Sequence, residues 1–158
     1  ANSATLGGQC RTPDYRKNMS NIARILQDSR IIAIVGMSDK PERASHEVAD
    51  YLLRHGYRVL PVNPALAGRE VLGQRAYANL TEAAAAVAPA RIDIVDCFRK
   101  SEDILPIAEE AIAVKAGCLW LQLDIVKEQA AQLARAAGLD VVMDHCTKIE
   151  HRKLAVAA

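Results

Sequence analysis

Short apolar segments alternate with longer amphipathic segments along most of this chain. Most of the apolar segments are five or six residues long and rich in β-branched residues, which is typical of strands buried on both faces. They predict strands over residues 31–35, 58–62, 92–97, 118–122 and 139–143, with a short, weak edge strand within 70–77. Apolar positions spaced three and four residues apart predict helices over 20–30, 45–55, 81–88, from about 101 onward, 125–137 and 147–154.

This alternation of strand and helix predicts an α/β fold built on one doubly wound parallel sheet. Right-handed crossovers place helices on both faces of such a sheet. We expect six strands in the order 3-2-1-4-5-6, the third of them short. Ligands bind such sheets beyond the carboxyl ends of the strands, where the strand order reverses. Residues 36–43, 63–64 and 97–99 are therefore expected to surround one crevice.

Length, charge and cysteine spacing limit the kinds of protein that this chain can be. The 158 residues predict one domain over 19–158, preceded by a polar tail over 1–18 that lacks periodicity and is expected to be disordered. A net charge of +1 gives no reason to expect binding to nucleic acid or to a membrane surface, and no apolar run approaches the length of a membrane helix. Four widely spaced cysteines without a CxxC pair favour free thiols in the cytoplasm.

The turn after the first strand carries the clearest chemical signal. Gly36 ends the apolar run and lets the backbone turn sharply, and Ser45 is placed to cap the next helix. Backbone N–H groups and the positive end of a helix dipole then meet at one point, where an anion can bind. Lys40 and Arg43 add positive charge to the same loop. The pattern predicts a ligand that carries phosphate.

The same region argues against two common nucleotide sites. Gly36 is not followed by the GxGxxG pattern, and the second strand ends Pro61-Val62-Asn63-Pro64 without the acidic residue that holds the ribose of NAD. A phosphorylated ribose stays possible, because Lys40, Arg43 and Arg69 are available to it. The Walker sequence is absent too, which disfavours nucleotide hydrolysis.

Five motifs occur in order along the chain: VGMSDKPERAS, GYRVLPVNP, DIVDCFR, WLQ and VVMDHCTKIEHRKL. In this combination, from about residue 20 to residue 154, the chain resembles the small bacterial and archaeal CoA-binding proteins. The resemblance implies a Rossmann-like CoA-binding domain, similar to the N-terminal domain of succinate–CoA ligase α-subunits, with coenzyme A as the cofactor. The phosphorylated histidine of that ligase lies in a further domain, so we expect no ligase reaction by this chain alone.

The resemblance also implies which residues touch the ligand. The CoA phosphates are expected beside five residues of the first loop, namely Gly36, Met37, Ser38, Lys40 and Arg43. The adenosine is expected beside Val62, Asn63 and Pro64, and the pantetheine arm beside Tyr77, Phe98 and Arg99. Ser45 is a further candidate contact, in addition to its expected role as a helix cap.

A catalytic or metal site is the main rival interpretation. Asp144, His145 and Cys146 are consecutive, and His151 follows closely. Adjacent side chains after a strand usually diverge, and the spacing matches no familiar metal site, so a structural role for Cys146 is favoured and no metal is expected. The family pattern commonly has arginine in place of His145.

The sequence therefore predicts a cytoplasmic protein that binds CoA or an acyl-CoA, without catalysis by this chain alone. One alternative is an enzyme that handles acyl-CoA or uses NADP in the same crevice. Another is an interaction protein that uses CoA as a signal.

Overall fold

A computed structural model of the protein describes the backbone of residues 15–157 and the side chains of residues 21–155. The described part of the chain contains seven strands, β1 Ile31–Val35, β2 Arg58–Val62, β3 Glu70–Val71, β4 Gln74–Arg75, β5 Ile94–Cys97, β6 Cys118–Leu121 and β7 Asp140–Val142. Within residues 15–157, six α-helices run α1 Tyr15–Asp28, α2 Ala44–Arg54, α3 Leu80–Val87, α4 Ile104–Ala113, α5 Glu128–Ala136 and α6 Thr147–Ala157. Short 3₁₀ helices cover Pro64–Leu66 and Ser101–Asp103.

Five of the strands form one parallel sheet in the order β2-β1-β5-β6-β7. The predicted α/β fold with its parallel sheet is confirmed. At the carboxyl end of β1, Val35 is paired with Val62 on one side and with Cys97 on the other. The strand order reverses at β1, because β2 lies to one side of it and β5 to the other. The loops that follow β1, β2 and β5 therefore meet at one edge of the sheet.

These five strands follow the predicted order, but residues 70–77 do not add the expected third strand to the sheet. In place of a third sheet strand, β3 and β4 pair with each other as a small antiparallel hairpin. Leu72 and Gly73, with φ of +53° and +76°, form the two-residue turn that reverses the chain. Only Tyr77 reaches the main sheet, through a single parallel bridge to Val62.

Helices cover both faces of the sheet, as predicted from the strand–helix alternation. Along β1, Ala33 faces a core formed with α3, α4 and α5. Ile32 and Ile34 face a second core, which α1 and α2 complete and against which α6 packs. The strands are apolar on both faces because both faces are covered.

Two helix starts differ from the predicted ones. Helix α1 begins at Tyr15, so the last residues of the predicted tail are helical, while residues 1–14 of that tail lie outside the described residues. Helix α2 begins at Ala44 with Arg43 at the N-cap and no side-chain cap, so the prediction that Ser45 caps it is wrong. Within residues 15–157, no helix is both long and apolar enough to cross a membrane.

Candidate binding cleft at the carboxyl ends of the strands

Gly36 brings the loops after β1 and β5 into close contact. Its φ of +86° is a conformation that side-chain-bearing residues rarely adopt. A Cβ at this position would lie 2.9 Å from the Phe98 carbonyl oxygen and 3.0 Å from Arg99 Cδ. The Gly36 N–H donates to the Val62 carbonyl at 2.9 Å, which ties the turn to the end of β2. Glycine is therefore required here both by conformation and by space.

The loop from Ser38 to Arg43 is closed by its own hydrogen bonds. The Ser38 N–H donates to Ser45 Oγ at 3.0 Å, and the Lys40 N–H donates to Ser38 Oγ at 3.1 Å. The Arg43 N–H donates to the Lys40 carbonyl at 3.0 Å. Ser45, buried in the first turn of α2, thus holds the loop in place instead of capping the helix.

This loop and the start of α2 form a cleft of about 400 Å³, lined by Gly36, Ser38, Lys40, Arg43, Ala44, Ser45 and Phe98. The N–H groups of Ala44 and Ser45 belong to the first turn of α2 and have no acceptor within the helix. The side chains of Lys40 and Arg43 are exposed and form no ion pair with any residue that the structure describes. The cleft is therefore positive, through both the helix dipole and two cations.

The charge of Asp39, in the same loop, is offset by Arg69. Arg69 Nη2 lies 3.3 Å from Asp39 Oδ2, so the two side chains form an ion pair. Arg69 does not line the cleft. The suggestion that Arg69 could reach a ribose phosphate gains no support from this placement.

A second pocket of about 300 Å³ adjoins the first, and Gly36 lines both. Its walls are largely apolar, with Val62, Pro64, Leu80 and Ile107 among the lining residues. Arg99 also lines it and pairs with Asp103 at 3.6 Å. Glu102, Asp103 and Glu110 line it as well, so the cleft runs from a positive end to a largely apolar end that also carries carboxylates.

Asn63 connects the two loops that border the second pocket. Its Oδ1 accepts a hydrogen bond from the Ala65 N–H at 2.9 Å, and its Nδ2 donates to the Met37 carbonyl at 2.8 Å. The side chain thus caps the 3₁₀ helix after β2 and holds the turn after β1. Sequence reasoning singled out Asn63 as a ligand contact but missed this organising role.

Ten of the twelve residues expected at the ligand line these two pockets: Gly36, Ser38, Lys40, Arg43, Ser45, Val62, Asn63, Pro64, Phe98 and Arg99. Met37 does not, because its side chain is fully buried in the core shared with α1 and α2. Tyr77 lies in a separate depression with Arg75 and Glu82, beyond the outer edge of β2. Met37 and Tyr77 are apolar or aromatic because they pack against the protein. The sequence alone does not show whether such a side chain packs internally or contacts a ligand.

Sequence reasoning overlooked Asp96, a fully buried acid in β5, one residue before the strand ends. Thr147 Oγ1 donates to Asp96 Oδ2 at 2.9 Å, and Gln122 Nε2 donates to Oδ1. Burial raises the pKa of Asp96 to about 7 against the opposing effect of these donors. These hydrogen bonds link Asp96 in β5 to Gln122, just after β6, and to Thr147, the first residue of α6. An acid within the apolar run Ile94–Cys97 was the available signal.

The consecutive residues considered as a catalytic site take separate partners. Asp144 Oδ1 accepts the Asp124 N–H at 2.7 Å, and His145 Nδ1 lies 2.8 Å from the Met143 carbonyl. The Cys146 side chain is buried in the core. His151 contacts Tyr51 instead, at 2.8 Å. The structure does not bring these four side chains together.

Comparison with known proteins addresses the class of ligand. The sequence profile described as the CoA binding domain matches residues 30–152, which contain both pockets. The chain belongs to the CoA-binding domain family. This confirms the resemblance drawn from the sequence motifs.

Relatives of this CoA-binding domain are found among both sequences and solved structures. The uncharacterized protein YneT of Bacillus subtilis (strain 168) is 40% identical over 132 residues, which cover 84% of this chain and 93% of YneT. A hypothetical protein from Pyrococcus horikoshii OT3 has a TM-score of 0.77 at 37% identity, covering 87% of this chain and 92% of that one. The cell-free ID.343 protein from Thermus thermophilus has a TM-score of 0.78 at 34% identity, covering 87% and 98%.

Proposed function

We propose that this protein binds coenzyme A or an acyl-CoA in the cleft at the carboxyl ends of β1, β2 and β5, without catalysing a reaction by itself. The observation that carries the proposal is the positive cleft at the Gly36 turn, in a chain that belongs to the CoA-binding domain family. Each of its two pockets measures a few hundred Å³, in the usual range of small-molecule sites.

The phosphates of CoA are assigned to the first pocket. There the Ala44 and Ser45 N–H groups point from the start of α2, and Lys40 and Arg43 supply formal charge. Free N–H groups and the positive end of the dipole favour an anion at such a helix start. A charge-assisted hydrogen bond contributes about 1.5–3 kcal/mol, so these residues account for most of the expected selectivity for phosphate.

The adenosine is assigned to the second pocket, where Val62 and Pro64 offer apolar surface to a base. Asn63 belongs to this proposal as the residue that holds both loops in place, because its polar side-chain atoms already bond to the backbone. Phe98 lines the first pocket and Arg99 the second, both lie against the Gly36 turn, and they stay the candidates for the pantetheine arm. Tyr77 is left out, since it lies elsewhere.

Thermal unfolding with different ligands tests the ligand class. A ligand that binds only the folded state, at about a hundred times its Kd, stabilises by about 2.7 kcal/mol. For a chain of this size we expect CoA to raise Tm by about 5–10 °C. NAD at the same concentration should do much less, because the β2 end carries no carboxylate for its ribose. A larger shift with NAD than with CoA would overturn the proposal.

The location of the phosphates needs its own variants. The double variant Lys40→Ala with Arg43→Ala should weaken CoA binding by at least tenfold in calorimetric titration and reduce its dependence on salt. The matched control is Arg58→Ala, which removes an exposed cation at the amino end of β2, away from the cleft. If CoA affinity survives in the double variant, or falls equally in the control, the phosphates bind elsewhere.

A further inference from the structure

A second cavity lies at the opposite edge of the sheet from the cleft. It measures about 380 Å³ and is bordered by the residues just before β1 and β2 and by the later turns of α6. Two imidazole side chains line it, His55 from the end of α2 and His151 from α6. Neither belongs to the proposed CoA site.

Tyr51 forms a hydrogen bond with one ring nitrogen of each of the two histidines. His55 Nδ1 lies 2.8 Å from the Tyr51 carbonyl oxygen, and because a carbonyl only accepts, Nδ1 carries the proton. His151 Nδ1 lies 2.8 Å from the Tyr51 hydroxyl. In each ring, Nε2 is therefore the nitrogen that Tyr51 does not contact. Imidazoles that ligate metals typically donate their other ring N–H to an oxygen acceptor, as His55 does, and as His151 does in the tautomer whose Nδ1–H donates to the Tyr51 hydroxyl oxygen.

The spacing of the two rings suits a shared metal ion. Their centroids are 5.1 Å apart and their planes are inclined by 64°. With a zinc–nitrogen bond of about 2.0–2.1 Å, the ion lies about 3.2 Å from the centre of each ring. Two rings at a tetrahedral angle around such an ion have centroids about 5.2 Å apart.

The helix dipoles at the cavity also favour a cation over an anion. The carboxyl ends of α1 and α2 reach the cavity through Leu26, Gln27 and His55, and the dipole is negative there. Arg30 is the lining residue with a permanent positive charge, and its side chain is exposed to solvent.

We propose that His55 and His151 together bind one divalent transition-metal ion of the zinc type, which joins α2 to α6. No group of three or more histidine, cysteine, aspartate or glutamate side chains suited to a metal occurs in the part of the chain that the structure describes. Water completes the coordination, and the affinity is that of a two-imidazole site, well below that of a structural zinc site with four protein ligands.

Calorimetric titration of the metal-free full chain, without a histidine tag, tests this site. We expect one Zn²⁺ per chain, no binding of Mg²⁺, which prefers oxygen ligands, and tighter binding of Cu²⁺ than of Zn²⁺. His55→Gln and His151→Gln should each weaken Zn²⁺ binding at least tenfold. The control His46→Gln, about 14 Å away at the other end of α2, should leave it unchanged.

Spectroscopy of the bound metal shows whether its ligands are imidazole nitrogens or cysteine thiols. Electron paramagnetic resonance of the Cu²⁺-loaded protein should show two coupled imidazole nitrogens in the wild type and one in each variant. His55→Gln leaves the Tyr51–His151 hydrogen bond intact, so it decides the question even if His151→Gln does not fold. Absence of Zn²⁺ binding in the wild type, equal affinity in the His55 variant, or an equal loss in His46→Gln would each overturn the proposal.

Discussion

Replacing the buried Asp96 with asparagine should change how the stability of the protein depends on pH. The carboxyl group is fully buried, and burial raises its pKa from 3.8 to about 7 although Gln122 and Thr147 donate hydrogen bonds to it. Between about pH 4 and pH 7, the folded protein therefore keeps a proton on Asp96 that the unfolded chain has lost.

The proton on Asp96 in the folded protein determines both the direction and the size of the change in stability with pH. Stability falls with rising pH wherever the folded state binds more protons than the unfolded state. The free energy of unfolding should thus decrease from about pH 4 to about pH 7 and be level above that, as far as Asp96 contributes. Each pKa unit is worth about 1.4 kcal/mol, so a rise of about three units amounts to about 4 kcal/mol.

Urea unfolding from about pH 4.5 to pH 8.5 measures this contribution in Asp96→Asn and in the wild type. Asparagine keeps the size of the side chain and is neutral throughout, and the Thr147 hydroxyl can donate to it or accept from it. The measured range begins above the pKa of the unfolded chain, so the variant should gain about 3 kcal/mol on the wild type as the pH rises through it. His151, whose lowered pKa costs stability in acid, is present in both proteins and cancels in the difference.

The control is Asp28→Asn at the end of α1, where the side chain is exposed and the burial that acts on Asp96 is absent, so this variant should not show the gain expected for Asp96→Asn. A constant difference between Asp96→Asn and the wild type would mean that Asp96 titrates alike in the folded and unfolded states. That result would refute the argument from burial. If instead the variant loses stability relative to the wild type as the pH rises, the donors favour the charged carboxylate more than burial disfavours it.

Three further variants test the cleft. Gly36→Ala should lower stability more than Gly138→Ala in thermal unfolding, because both glycines have positive φ but only Gly36 lies against the Phe98 carbonyl; equal losses would contradict the importance of that close approach. Asn63→Ala should cost about 1–2 kcal/mol in urea unfolding, because two hydrogen bonds are lost, and should weaken CoA binding too; unchanged affinity would remove Asn63 from the proposed site. If Lys40 and Arg43 contact the 3′-phosphate, their double alanine variant should lose the preference for CoA over dephospho-CoA in calorimetry, whereas contact with the pyrophosphate would weaken both ligands equally.

Local chemistry was enough to predict the sheet and the position of the cleft. Runs such as Ile31–Val35 are too short and too apolar for anything but a buried strand, and helices between strands force parallel pairing. Gly36 at the end of the first strand then marks the turn where the strand order reverses. The motifs of the first loop also carried the family resemblance, which the comparisons confirmed.

Tertiary structure alone decided the partners of individual side chains. Asp96 and Thr147 are 51 positions apart, and no local pattern predicts that they share a hydrogen bond. Met37 follows Gly36 directly, yet its side chain turns into the core, because that core has space beside α1 and α2. Periodicity records which face of an element is apolar, but long-range packing determines what lies against that face and which polar atoms meet there.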